Sequence, residues 1–413
     1  MRILFLTYFR RKVGGTESYL QSTVPACLER GHDIAVCYTD EGPLNRQPFD
    51  FPNKVPQWGL EDFGSGGALQ RIKTWCPDLI FCHGTTDMKF EAEVLKLAPG
   101  IFFAHNYATC ISGLKTHKFP TPTPCSRVFG PACLLQYFPR RCGGNSPITM
   151  MKLYVEQSHR LRLLCSYASI ATNSEYLAQE YRRHGLPARC LYLFAESNAQ
   201  GCSSGAPGNN VRRLLFVGRM DRLKGGLVLL QALPEIRSLT GCDLQLVLVG
   251  DGPERQDWER NGLQIQATKP GIHIEFKGWL EKSQLALEYA AADLLLVPSL
   301  WPEPFGLVGI EAGLYGVPAV AFAVGGIPEW LHDGENGYLA PGDPPTAAAF
   351  AQAAARALDP KDYQNLRVRT RKLAQRWTLE KHCTDLDLLF ASTVREFGCY
   401  KPKPHEIAEE LVS

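Results

Sequence analysis

The sequence predicts an α/β protein of two doubly wound domains, and three observations carry that reading. Short apolar runs that end in polar, often glycine-containing loops alternate with helical stretches along the chain. A charge-free segment rich in Ser, Gly, Ala and Asn interrupts this rhythm at residues 198–210. The chain has 413 residues, 45% of them hydrophobic, which is more than one core of ordinary size holds.

The elements follow in order. Arg2 to Thr7 reads as a buried strand, and a loop with Gly14-Gly15 follows it. A helix is expected from Thr16 to Arg30, stopped by Gly31, and Ile34 to Tyr38 is the next strand. That is a strand–loop–helix–strand unit. Leu79–Cys82, Ile101–Ala104 and Ser169–Thr172 repeat the pattern in residues 1–197, with a loop-rich insertion at about 106–147. After the linker the rhythm restarts for residues 211–375 with Leu214–Val217, Leu244–Val249, Ile274–Phe276, Leu294–Val297 and Pro318–Phe322. Residues 376–413 are expected to be helical and to pack back on the first domain.

Charge narrows the function classes. Charged residues are 21% and the net charge is +2, which excludes a disordered chain and argues against nucleic acid as a partner. The halves differ: 22 Lys and Arg against 16 Asp and Glu give +6 over residues 1–197, and 22 against 26 give −4 over 211–413. A basic first half suits an anionic acceptor or a peripheral contact with a membrane surface, and equally an ordinary fluctuation. Residues 1–9 are apolar but short, and no apolar run reaches the roughly 20 residues that span a bilayer. The expected setting is cytoplasmic, free or peripheral on the inner face of the membrane.

In doubly wound sheets ligands sit beyond the carboxyl ends of the strands. Four features of the second half occupy those ends. Gly218 to Gly225 places Arg219 and Lys224 where an anion would rest on a helix start, although alone such a cluster is usually a solvated surface loop. Gly250-Asp251-Gly252-Pro253 ends a strand in a turn that would let a base or ribose approach the backbone. Pro298 to Ala312 sets Glu303 in a loop, Gly306 and Leu307 at a helix start, and Glu311 about one and a half turns into that helix. Free amides at Gly306 and Leu307 would hold a diphosphate, and the two carboxylates would accept from hydroxyls. Gly325 to Glu329 reads as a close backbone approach or simply a tight turn.

These segments, with Gly316–Pro318 and Asp333–Gly337, resemble in that order the retaining glycosyltransferase family four, of GT-B fold, over essentially the whole chain. The resemblance implies two Rossmann-like domains facing a cleft. It also implies that Glu303 contacts the donor sugar, Glu311 the nucleotide ribose, and Arg219 and Lys224 the diphosphate. Seven residues lie between the paired glutamates, the family's hallmark. Gly14 and Gly15 resemble the family's glycine loop beneath the donor phosphate. His105, directly after Ile101–Ala104, resembles a histidine beside the reacting centre, although a lone histidine is more often structural.

The implied reaction moves a sugar from a nucleotide-sugar donor to a glycan, lipid-linked or small-molecule acceptor. Breaking the anomeric bond produces an oxocarbenium-like sugar and a diphosphate. Stabilising that leaving group is the main task, and it needs no metal. Retention comes from the resemblance, and a same-face displacement is the preferred course. A sugar-nucleotide epimerase and a non-catalytic sugar-nucleotide-binding protein are the alternatives.

The chain has fourteen cysteines. Cys110, Cys125, Cys133 and Cys142 lie in the insertion and could close a structural zinc site. Their spacings are long and hold no C-x-x-C, so a disulfide pair or a reduced, unligated loop remains open.

Overall fold

Among the described residues nine strands precede the linker: β1 (Arg2–Phe9), β2 (Asp33–Asp40), β3 (Gln57–Gly59), β4 (Leu79–Cys82), β5 (Gly100–Ala104), β6 (Thr116–His117), β7 (Thr123–Pro124), β8 (Ser169–Thr172) and β9 (Ala188–Cys190). Seven of them form a parallel sheet in the order β3-β2-β1-β4-β5-β8-β9, and β6 and β7 form a small antiparallel hairpin inside the insertion. Six follow: β10 (Val211–Val217), β11 (Asp243–Val249), β12 (Ile272–Gly278), β13 (Leu294–Val297), β14 (Ala319–Phe322) and β15 (Gly337–Ala340). They form a second parallel sheet in the order β12-β11-β10-β13-β14-β15. The computed structural model describes residues 1–11, 14–43, 46–120, 122–196 and 210–399. Apart from residue 210, the expected linker lies outside the described residues, as does the end of the 376–413 segment.

Both sheets run outward from an inner strand and then reverse, β1 to β4 in the first and β10 to β13 in the second. At such a reversal the flanking loops part to opposite faces and leave a crevice at the strands' carboxyl ends. The strands that frame it, Ile3–Leu6 and Leu294–Val297, are buried runs with no polar alternation. That pattern follows from helices covering both faces of a parallel sheet. Sequence periodicity finds the long inner strands. It misses β3, β9 and β15, which lie at sheet edges, and the two-residue hairpin strands β6 and β7.

Helix boundaries shift slightly for local reasons. The first helix is Gly15–Glu29, and Gly31, with φ 85°, ends it. After Gly218 the chain forms a 3₁₀ turn, Arg222–Lys224, followed by helix Gly226–Thr240. Asp221 caps that turn, its Oδ1 accepting from the amides of Leu223 and Lys224 at 3.0 and 3.2 Å.

The C-terminal helix Leu379–Cys399 lies on the first domain. Leu386, Leu389 and Phe390 are part of the core between that helix, the first helix and the first sheet. Polar ties flank it: Arg30 Nε reaches Asp387 Oδ2 at 2.6 Å, and His32 Nε2 lies 2.9 Å from Asp387 Oδ1. Inside, the Tyr19 hydroxyl meets His382 Nε2 at 2.8 Å.

Candidate active site at the carboxyl ends of the second sheet

Glu303 and Lys224 come together. Lys224 Nζ donates to Glu303 Oε1 at 2.6 Å, and the Ser299 hydroxyl donates to the same oxygen at 2.6 Å. Glu303 and Ser299 are buried. The Lys224 ammonium also stands 5.7 Å from the centre of the Trp301 ring. The pair joins residues 79 positions apart because β10 and β13 are neighbours at the reversal, and the Leu300 amide donates to the Leu223 carbonyl at 2.7 Å.

The Glu303 backbone is fixed from behind. The Gly326 amide donates to the Glu303 carbonyl at 2.8 Å, and a Cβ on Gly325 would collide with the Glu303 main chain. The glycine pair after β14 thus lets two loops close on each other and hold Glu303. Glu329, at the end of the same segment, does more than complete a turn. Its carboxylate accepts the backbone amides of Glu175 and Tyr176 at 2.8 and 2.7 Å, capping a first-domain helix from the second domain. A second tie crosses nearby, where the buried Tyr107 hydroxyl donates to the Pro302 carbonyl at 2.7 Å. Pro302 directly precedes Glu303, so the first domain reaches the carboxylate-bearing loop.

Two expectations are corrected in detail. Gly306 and Leu307 precede the helix, which spans Val308–Leu314, because Gly306 adopts φ 88°. Glu311 consequently sits in the first turn. Among the described residues the amides of Gly306 and Leu307 have no protein acceptor, so they remain open to an anion. Gly250 and Gly252 are glycines because of the neighbouring loop: a Cβ at either would run into the carbonyls of Gly218 and Met220. The Met220 amide donates to the Asp251 carbonyl at 2.9 Å, so the two loops are locked together.

Glu311 accepts a hydrogen bond from the Tyr289 hydroxyl at 2.8 Å, and burial raises its carboxyl above the ordinary value despite that bond. Arg219 is not joined to the Lys224–Glu303 pair. Its side chain is 71% exposed and has Asp221 as a long-range partner at 3.7 Å. Gly14 is the N-cap of the first helix, with its amide bonded to Glu17 Oε2 at 2.7 Å, and the space above Gly15 is open.

His105 follows β5 and lies against His83, which follows the adjacent β4; their Nε2 and Nδ1 atoms are 2.9 Å apart. Burial lowers the His105 pKa to about 4, with His382 adding to the shift, and it holds His83 well below 6.5. Both rings are therefore neutral near pH 7. Sequence reading missed His83, Ser299, Tyr107 and Tyr289. Each is an ordinary polar residue whose role depends on a partner far away in the chain.

The four insertion cysteines are all present as thiols, and no group of three or more His, Cys, Asp or Glu among the described residues could hold a metal. They do lie close enough to influence one another. Burial pushes the Cys142 thiol up to about 11, with Cys110, Cys125 and Cys133 adding to the effect.

The fold and the site's geometry define a GT-B architecture, and the comparisons agree. The chain superposes on the Anabaena protein HepE, solved with UDP and glucose, with TM-score 0.65, 19% identity, and 95% of this chain and 100% of that one covered. Sucrose-phosphate synthase from Thermosynechococcus elongatus gives TM-score 0.67 at 19% identity over 97% and 100%. Residues 211–360 match the family described as Glycosyl transferases group 1, so the second domain is a domain of that kind. Over 143 residues the chain is 36% identical to a phosphatidyl-myo-inositol mannosyltransferase of Mycobacterium tuberculosis, covering 34% of this chain and 36% of that one. Over 145 residues it is 39% identical to a D-inositol 3-phosphate glycosyltransferase of Streptomyces scabiei, covering 33% and 31%. The match thus spans about a third of the length of these curated relatives. No helix among the described residues is long and apolar enough to cross a membrane.

Proposed function

We propose that this protein is a retaining glycosyltransferase of family four, moving a sugar from a nucleoside diphosphate sugar to a glycan or lipid acceptor. The observation that carries the reading is the Lys224–Glu303 pair, whose Glu303 lies on the loop that leads, three residues later, to the open amides of Gly306 and Leu307. An ammonium has three donors, and Glu303 takes one, leaving the others for a diphosphate. The free amides add a second set of donors aimed at the same anion. Together they stabilise charge as it moves onto the leaving group, without requiring a metal. Arg219 has length and freedom to close over the diphosphate from outside. Glu303, anchored by Ser299, is rigid enough to orient a sugar hydroxyl.

His105 stands two residues before Tyr107, which touches the Glu303 loop, and in this reading it borders the transferred sugar. Being neutral, its imidazole serves as a hydrogen-bond donor or acceptor. Same-face displacement accounts for retention, with the acceptor entering from the first domain near Gly14 and Gly15.

The deciding experiment is a donor screen followed by product analysis. UDP-glucose and mannosyl donors come first, after the ligand of a HepE structure and the name of the mycobacterial relative. A retained anomeric configuration on an acceptor supports the reading. A donor converted to its epimer without any acceptor would replace it with an epimerase.

Glu311 gives a pH-dependent prediction. As the ribose acceptor, Glu311→Gln is expected to raise the donor dissociation constant about tenfold while kcat falls less. Protonation removes the same acceptor. Because its pKa is raised, wild-type donor affinity is expected to fall with decreasing pH before an ordinary carboxylate would titrate. Titration calorimetry across the acidic range reads both effects, and a variant with unchanged affinity would remove Glu311 from the site.

A further inference from the structure

The first domain carries a surface that the transfer reaction does not use. Helix Pro147–Leu164 holds itself to the domain through one side: Arg160 Nη1 bonds Glu91 Oε1 at 2.7 Å, and Leu163 and Leu164 are buried. Its other side is apolar and open. Ile148 is 82% exposed, Met151 47% and Val155 46%. The steps of three and four residues place them on one face, and with Met88 they line a shallow trough. Lys152 and His159 lie along the same trough. Just before the helix, Leu135 and Phe138 are also exposed, and Arg141 stacks over the exposed Phe119 at 4.9 Å.

The charge around this surface is mainly positive, although Glu156 also lines the trough. Residues 111–164 contain eight Lys and Arg but a single acid, Glu156. Two of the cations are internal, Lys115 paired with Glu180 and Arg160 with Glu91. Among the rest, Arg127, Arg140, Arg141, Lys152 and Arg162 are exposed. Buried cores of protein interfaces are depleted of lysine. An apolar stripe bordered by lysine and arginine, with aromatic residues at its edge, suits a plane where acyl chains meet anionic headgroups.

We propose that this face of helix Pro147–Leu164, with the cationic turn preceding it, docks on an anionic bilayer surface. The apolar residues enter the boundary of the acyl region, and the cations rest among the headgroups. The helix leads back to the amino end of β8, so its first turn lies at the carboxyl ends of the sheet. Docking there sets the mouth of the cleft against the membrane. The proposal does not rest on the sugar-transfer reading.

Flotation of the full-length protein tests it, using vesicles of phosphatidylcholine alone and of equal parts phosphatidylcholine and phosphatidylglycerol. Wild type is expected to float with the anionic vesicles only, and less so as salt rises. The double variants Ile148→Asp/Met151→Asp and Arg140→Glu/Arg141→Glu are each expected to cut the floated fraction about tenfold, with unchanged circular dichroism melting. Should a double variant misfold, Ile148→Trp provides a second readout, its fluorescence quenched by brominated anionic lipid. Wild type remaining at the bottom with both vesicles overturns the proposal, as does an unquenched Trp or flotation unaffected by the variants. Light scattering that shows a wild-type dimer, dissociated by Ile148→Asp/Met151→Asp without vesicle binding, assigns the face to a second copy and equally overturns it.

Discussion

Replacing Lys224 with alanine is expected to lower turnover by about 10²–10³, the scale of losing one preorganised donor to a developing anion. The structure sharpens this beyond a general charge effect. Lys224 is held at 2.6 Å from Glu303 over a tryptophan face, so its ammonium is positioned before any donor arrives. Arg219 is 71% exposed, and Arg219→Ala is expected to cost less because an exposed side chain must first be ordered. Glu303→Gln separates binding from chemistry. Its carboxylate would touch the sugar whose charge changes in the reaction, so kcat is expected to fall more than KM rises. The change also frees Lys224 from its partner, so Ser299→Ala serves as a control that perturbs Glu303 without altering charge. Steady-state kinetics against donor concentration decide the matter. Near-wild-type rates in both Lys224→Ala and Glu303→Gln would sink the assignment.

The second large effect is on acid stability. Burial is the main cause that lowers His83, His105 and His382, with His105 and His382 brought to about 4. An unfolded chain binds protons on these rings near pH 6.5, whereas the folded protein resists them. Their stabilising contribution is therefore complete above pH 6.5 and drains away as pH falls toward about 4. For His382 alone the loss amounts to about 3 kcal/mol. Its surroundings explain why. Burial keeps water from the charged ring, and that cost outweighs the Nδ1 contact with the Tyr192 carbonyl at 2.6 Å, which by itself favours protonation. Glu311, with its raised pKa, works in the opposite direction. Melting temperatures from pH 8 to pH 4 should show the fall, and His382→Gln should flatten part of it. Constant stability between pH 6.5 and pH 4.5 would contradict the buried neutral rings.

These two results draw on different kinds of information. Lys224 and Glu303 were legible in the sequence, because a strand followed by a short polar loop reveals itself locally. So were the inner strands of both sheets, whose apolar runs are long enough for periodicity to register. The histidine network was not legible beyond His105. It joins His83 after β4, Tyr19 on the first helix and His382 on the last helix, and nothing in local sequence links residues more than 360 positions apart.

The sequence by itself determined the two α/β domains, the loops that carry the charged and glycine residues, and the spacing of the two glutamates. Those features follow from short-range rules of burial and turn geometry, which act within one strand, loop or helix. Tertiary structure alone decided which loops meet. It set Glu329 as a cap on a first-domain helix and made Gly250 and Gly252 answer to a neighbouring loop. It also turned the apolar side of helix Pro147–Leu164 outward. Strand order, which is a global property of the packed sheets, fixes these contacts, and no window of sequence contains it.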